Sequence, residues 1–213
     1  MGKKIIKFIG IIKRALLEII YQNPNKCVIC HKEDVEGLCR DCLNKIKRCE
    51  DETELCIGYY KGPLRELILS FKGNGNFQCG ELLVDLISLK IQNKYKEYIL
   101  TYIPIGEETL KRRGFNQCEY IAKELSFRNN LRMLNTLSKI KKTKDQKTLN
   151  KEERKENLLG AFKVINDKYI RNKKFILIDD IITTGSTLSE GDKVLKEAGA
   201  LEVKILTLAK SHI

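Results

Sequence analysis

The chain has no tryptophan, only 7% aromatic residues and only three prolines among its 213 residues. So few aromatic rings limit base-stacking platforms. So few prolines, with 42% hydrophobic content, argue against long disordered regions. No run approaches the ~18 apolar residues that a membrane-spanning helix requires. The first 21 residues also lack the features of a secretory leader: the uncharged run Phe8–Ile12 is five residues long, and no small-residue cleavage site follows. With no export signal the expected location is the cytoplasm, where the eight cysteines are expected to be reduced or metal-bound.

What is abundant is positive charge. Forty Lys and Arg against 28 Asp and Glu give a net charge of +12, which favours anionic partners such as nucleic acid, nucleotides or phosphates. Residues 1–48 hold 11 of the basic and 5 of the acidic residues, so half of the excess lies in under a quarter of the chain. Within it, Ile5, Phe8, Ile9, Ile12, Leu16, Ile19 and Ile20 fall at helical spacing among lysines, which predicts an amphipathic basic helix. A second basic segment, residues 139–156, has eight basic and four acidic residues and no apolar period, and reads as mobile.

Cys27, Cys30, Cys39 and Cys42 form C-x2-C-x8-C-x2-C. Each C-x2-C pair makes a knuckle that turns two thiolates toward one metal, and two knuckles complete a tetrahedral S4 site for a structural Zn2+. A module this small has too little core to fold without it. His31, directly after a ligand, reads as a solvated turn residue, and Cys79 and Cys118 read as packing residues.

The stretch Phe175–Thr187, FILIDDIITTGST, has the highest chemical content. Four apolar residues after a charged turn predict a buried strand, ending in the adjacent carboxylates Asp179 and Asp180. Neighbouring strand residues point to opposite faces, so both acids cannot lie on one solvated edge. Thr183, Thr184, Gly185, Ser186 and Thr187 follow, all small and rich in hydroxyls. A helix is expected next, with Thr187 and Glu190 at capping-box spacing. Strand, small polar loop and helix N-terminus form an anion site, and the acids suit ribose hydroxyls, so together they suit a sugar 5-phosphate. No lysine follows Gly185, as a Walker loop requires, and a single glycine does not make a dinucleotide fingerprint.

Strand-like segments at 57–60, 99–105 and 201–208 alternate with helical spacing at 64–71, 81–91 and after Gly114-Phe115-Asn116-Gln117. This predicts an α/β fold with a parallel sheet flanked by crossover helices, and a ligand beyond the C-terminal strand ends. Lys72–Asn76 reads as a basic, flexible loop, and Lys111, Arg112 and Arg113 as part of a second anion-binding loop.

The IDDIITTGST stretch resembles the PRPP-binding signature of type I phosphoribosyltransferases. Together with GYYKGPLRELILSFKG, RRGFNQ, and Thr143, Gln146, Leu149, Arg154 and Asn157 before GAF, it resembles the ComF family from about Cys27 to the C-terminus. Two positions depart from that pattern: Gly106 stands where many relatives carry histidine, and Thr109 where they carry a basic residue. The resemblance implies an N-terminal zinc ribbon, with the amphipathic helix, over 1–56 and a phosphoribosyltransferase-like domain over 57–213. It implies PRPP with Mg2+ as ligand, the 5-phosphate on Thr183–Thr187 and the ribose hydroxyls on Asp179 and Asp180. Lys111, Arg112 or Arg113 would then assist at pyrophosphate. It further implies single-stranded DNA as a partner in natural transformation, alongside a competence helicase or DNA-processing proteins. Three readings stay open: a transferase, a non-catalytic DNA-binding factor and a PRPP sensor.

Overall fold

The computed structural model describes residues 25–49, 55–91, 94–141, 153 and 157–211. The expected N-terminal basic helix and nearly all of the basic segment after Lys141 lie outside the described residues.

The described chain begins with the cysteine module, whose short helix α1 spans Arg40–Asn44. Then follow β1 (Leu55–Tyr59), α2 (Gly62–Asn74), α3 (Phe77–Ile91) and β2 (Tyr98–Tyr102). Next come α4 (Glu107–Arg113), α5 (Gln117–Asn129), β3 (Arg132–Met133), β4 (Leu137–Lys139) and β5 (Phe162–Val164). A 3-10 turn at Asp167–Tyr169 leads into β6 (Lys174–Ile182), α6 (Ser186–Glu197) and β7 (Glu202–Lys210). The main sheet has the order β1-β7-β6-β2-β3 with every neighbouring pair parallel, while β4 and β5 form a separate antiparallel pair.

Alternation along the strands divides the core in two. Ile176, Ile178, Leu206 and Leu208 pack with α2, α3 and α5 on one face. Phe175, Leu177, Val203 and Ile205 pack with α6 on the other. Phe175 to Ile178 are fully buried, as a central strand covered on both faces must be.

The cysteine module is fastened to the sheet edge. Lys47 C=O accepts the Tyr59 N–H at 2.8 Å, and Arg48 bridges to Gly58. A Cβ on Gly58 would lie 2.3 Å from that Lys47 oxygen, so only glycine admits the approach. Val28, Ile29, Leu38 and Leu43 of the module rest on the sheet's own core.

Several boundaries differ from the sequence expectation. Lys72 to Asn74 are helical, closing α2 before Gly75 at φ 64°, where a flexible loop was expected. Lys111, Arg112 and Arg113 form the last turn of α4 instead of a loop. The acids do not end β6: the strand runs on to Ile182 because β7 keeps pairing, Ile181 with Ala209 and Ile182 with Lys210. The expected capping box does not form either. Gly185 caps α6 at φ 76° with no side-chain hydrogen bond, and Glu190 instead accepts the Gly160 N–H at 2.8 Å.

Candidate functional site

The acids lie in a notch of the sheet. β2 pairs with β6 only as far as Tyr102 and Ile178, and Ile103 N–H to Ile178 C=O is the last link. One residue later the β2 chain has departed, while β7 still pairs with Asp179 through Thr207. The N-terminus of α5 fills that gap. Asn116 caps α5 by accepting from Cys118 N–H at 2.9 Å, and its amide donates to Ile103 C=O at 3.1 Å. This double tie sets Gln117 and Cys118 against the acids.

Asp180 is 8% exposed and forms an ion pair with Lys72. Gln117 donates to the same carboxylate at 2.9 Å, and Arg113 donates to Gln117 at 2.7 Å. The result is a relay of polar side chains from α4 and α5 to β6, closed by α2. Asp179 and Asp180 each use one oxygen to accept the N–H of the next residue, at 2.8 Å. Those local bonds fix both carboxyl groups on the strand. Behind Lys72 and Gln117, the rings of Phe71, Phe77, Phe115 and Tyr120 form one cluster with centroids 5.0–5.9 Å apart. It holds the ends of α2 and α5 in register.

The loop after β6 follows directly. Thr184 and Ser186 hydroxyls are 2.9 Å apart, and α6, twelve residues long, begins at Ser186. Asp179, Asp180 and the stretch Thr183–Thr187 therefore lie together at the C-terminal end of the central strand. Of the expected cations, Arg113 reaches the acid relay, whereas Lys111 and Arg112 lie on the exposed side of α4.

Lys72, Gln117 and Cys118 were not anticipated as site residues. A signal was present for two of them. Lys72 continues the i, i+4 row of Leu64 and Ile68, and Gln117 begins the row of Ile121 and Leu125. A polar residue in an apolar row points where the row points, and both rows converge on Asp180.

Electrostatics follow from this crowding. Burial, and then the neighbouring Asp180 charge, push the Asp179 carboxyl up to about 7. Burial alone would lower the Lys72 ammonium, but the Asp180 carboxylate outweighs it and holds it above its ordinary value. Burial and then the two aspartate charges drive the Cys118 thiol well up, and its Sγ lies 3.7 Å from Asp179. A carboxyl whose value rises from 3.8 to about 7 on folding favours the folded state most when protonated, and that stability is lost as pH rises between those values. The gain in stability from Asp179→Asn over the parent chain is therefore expected to grow between pH ~5 and ~8, where the parent's carboxyl ionises. Urea midpoints at the two pH values test this; an equal difference at both would show that Asp179 titrates as in the unfolded chain.

At the far end of the chain, the four cysteine sulfurs lie within 4.8 Å of one another. A tetrahedral S4 site with ~2.3 Å bonds needs sulfurs about 3.8 Å apart, and Cys30 and Cys39 stand at 3.6 Å. The cluster is thus compatible with a metal. Burial pushes the Cys27 thiol up, but hydrogen bonds from the backbone of Cys30, Cys39 and Ile29 outweigh it and bring it to about 6. Burial and thiol hydrogen bonds hold Cys42 above its usual value. His31 is exposed and takes no part in the cluster.

Comparison with known proteins places relatives beside this chain. A family model described as a phosphoribosyl transferase domain matches residues 109–213. Competence protein ComFC of Streptococcus pneumoniae is 30% identical over 184 residues, covering 86% of this chain and 80% of that protein. Competence protein F of Haemophilus influenzae is 31% identical over 163 residues, covering 73% and 71%. DNA utilization protein YhgH of Escherichia coli K12 is 26% identical over 164 residues, covering 71% and 69%. Among the described residues, no helix is long and apolar enough to cross a membrane.

Proposed function

Since the chain belongs to the family of competence proteins ComFC and F, we propose that it binds Mg-PRPP at the notch in its sheet and handles single-stranded DNA. The observation that carries the first half is the placement of Asp179 and Asp180 at the C-terminal end of the central strand, with Thr183–Thr187 leading into the N-terminus of α6. In this reading the loop N–H groups and the helix N-terminus take the 5-phosphate. Asp179 and Asp180 hold the ribose 2- and 3-hydroxyls.

Their all-oxygen donor set suits a hard cation, so the same acids would hold Mg2+. When bound, the metal supplies charge neutralisation at pyrophosphate. Asp180 meets Lys72 in this structure, so ribose or metal competes with the ammonium for that carboxylate. Lys72 and Arg113 then supply fixed positive charge beside the leaving pyrophosphate, where negative charge develops if the C1 bond breaks. Lys111 and Arg112 contribute to the field from the exposed side of α4.

The DNA half rests on the +12 charge and on relatives named for competence and DNA utilization. The four-thiolate cluster suits Zn2+, and with every position filled by protein the metal would be structural. In this reading residues 1–56 form the metal module and residues 57–213 the phosphoribosyl-site domain, with the boundary inside β1, whose first residues Leu55 and Cys56 already pair with β7.

Calorimetric titration of the full chain with Mg-PRPP tests the reading. Saturable heat with about one site per chain is expected, and no binding would overturn it. Release of pyrophosphate with bases, nucleotides or single-stranded DNA then separates a transferase from a sensor that binds without turnover.

A further inference from the structure

Toward the N-terminal ends of the strands, away from the acids, lies a cavity of about 200 Å³. It is lined by the apolar Ile99, Met133 and Leu134, by Tyr169, and by the cationic Arg132, Lys168 and Lys173. Ile99 is the second residue of β2, and Asp179 comes one step beyond the Tyr102–Ile178 pair. The two sites are thus separated by four residue steps along the strands, roughly 13 Å.

The walls come from the β2–β3 pair and from the 3-10 turn and following residues that lead into β6. Arg132 pairs with Ile99 across a parallel ladder, and Leu134 N–H bonds Leu100 C=O at 2.9 Å. The 3-10 turn bearing Lys168 and Tyr169 is pinned by Ile170, which is fully buried. Lys173 is held through its carbonyl, which accepts Leu201 N–H at 2.8 Å. Among the described residues no carboxylate lines the cavity, and the nearby Asp167 accepts the Lys168 backbone N–H at 2.8 Å. Tyr169 is 50% exposed, with the Lys168 ammonium 4.9 Å from its ring centre.

Three cations beside apolar side chains and an exposed ring match one ligand chemistry: a planar base flanked by phosphates. The volume falls below the ~300–1,000 Å³ of sites that engulf a whole small ligand. It suits one base of a longer strand, with the backbone passing outside across the cations. We propose that this cavity seats one base of single-stranded DNA against Tyr169, with the flanking phosphates on Arg132, Lys168 and Lys173. The proposal rests on the DNA half of the function above and adds a place to it, away from both the phosphoribosyl notch and the metal module.

Fluorescence anisotropy of a labelled oligothymidylate, on the full chain across a salt series, separates the two ideas. Tyr169→Ala is expected to weaken binding by about fivefold or more without changing the salt slope, whereas Tyr169→Phe retains affinity. Changing Arg132, Lys168 and Lys173 together to Gln should lower the slope of log K against log salt by about 2. All these variants should bind Mg-PRPP as the parent does, since the notch is untouched. Photocrosslinking of the unmodified protein with 5-iodouracil-substituted DNA gives an independent reading, with Tyr169 expected as the attachment site. A parent chain that binds no DNA would overturn the DNA reading and this site together. A parent that binds DNA while the variants match it, or that crosslinks only elsewhere, would overturn the base seat alone.

Discussion

A chain carrying Cys39→Ser is expected to lose its metal and the fold of its N-terminal module. Cys39 does three things at once. Its sulfur is one of the four clustered, that sulfur caps α1 by accepting the Cys42 N–H at 3.4 Å, and its own N–H donates to the Cys27 sulfur at 3.4 Å. Serine keeps an oxygen at the cap but cannot supply a thiolate, and three ligands do not close an S4 site. Structural zinc contributes ~10–16 kcal/mol of folding free energy in small zinc-finger peptides, more than a core this small provides. The damage should spread, because Leu38 and Leu43 rest on the sheet's core and Lys47 bonds Tyr59 at the edge strand. Elemental analysis of the parent should find about one zinc per chain, and the variant none, with early proteolysis before β1. Cys79→Ala and Cys118→Ala, outside the cluster, should keep the metal. A metal-free Cys39→Ser chain with an intact, protease-resistant module would show that the knuckles fold on their own packing.

Asp179→Asn and Asp180→Asn are each expected to lower Mg-PRPP affinity at least tenfold, about 1.4 kcal/mol, yet to move stability in opposite directions. At Asp179 the substitution removes a crowded carboxylate that ionises reluctantly, so stability at neutral pH should rise. At Asp180 it removes the partner of Lys72, whose side chain is only 28% exposed. Stranding that ammonium should cost about 1–3 kcal/mol, below the ~3–5 of a fully buried pair. Adding Lys72→Met to Asp180→Asn should recover most of that loss, which a double-mutant cycle measures directly. Calorimetry decides the ligand question. Unchanged PRPP affinity in both variants would mean that the acids serve the fold and not a sugar. Zinc content should be the same throughout, because the cysteine cluster and the notch belong to different parts of the chain.

Features that depend on short separations were legible in the chain before any fold was known. Four apolar residues followed by two acids and a TTGST loop, or two C-x2-C knuckles, place their groups together through local backbone geometry, so spacing alone identifies them. How those groups are partnered emerges from the fold. Lys72 and Asp180 are 108 residues apart, and their ion pair exists because two helices bring their apolar rows onto one strand. The same packing turned an expected loop at Lys72 into the last turn of α2, and carried Arg113 into the relay while leaving Lys111 and Arg112 outside. The reach of β6 past its acids was likewise set by β7, a neighbour whose register no local pattern reports. Cys118 reads in sequence as a packing residue; the Asn116 cap is what brings its thiol against Asp179. Residue type and spacing determine what a segment offers, whereas the burial, charge and partners it receives arise from contacts made across the whole chain.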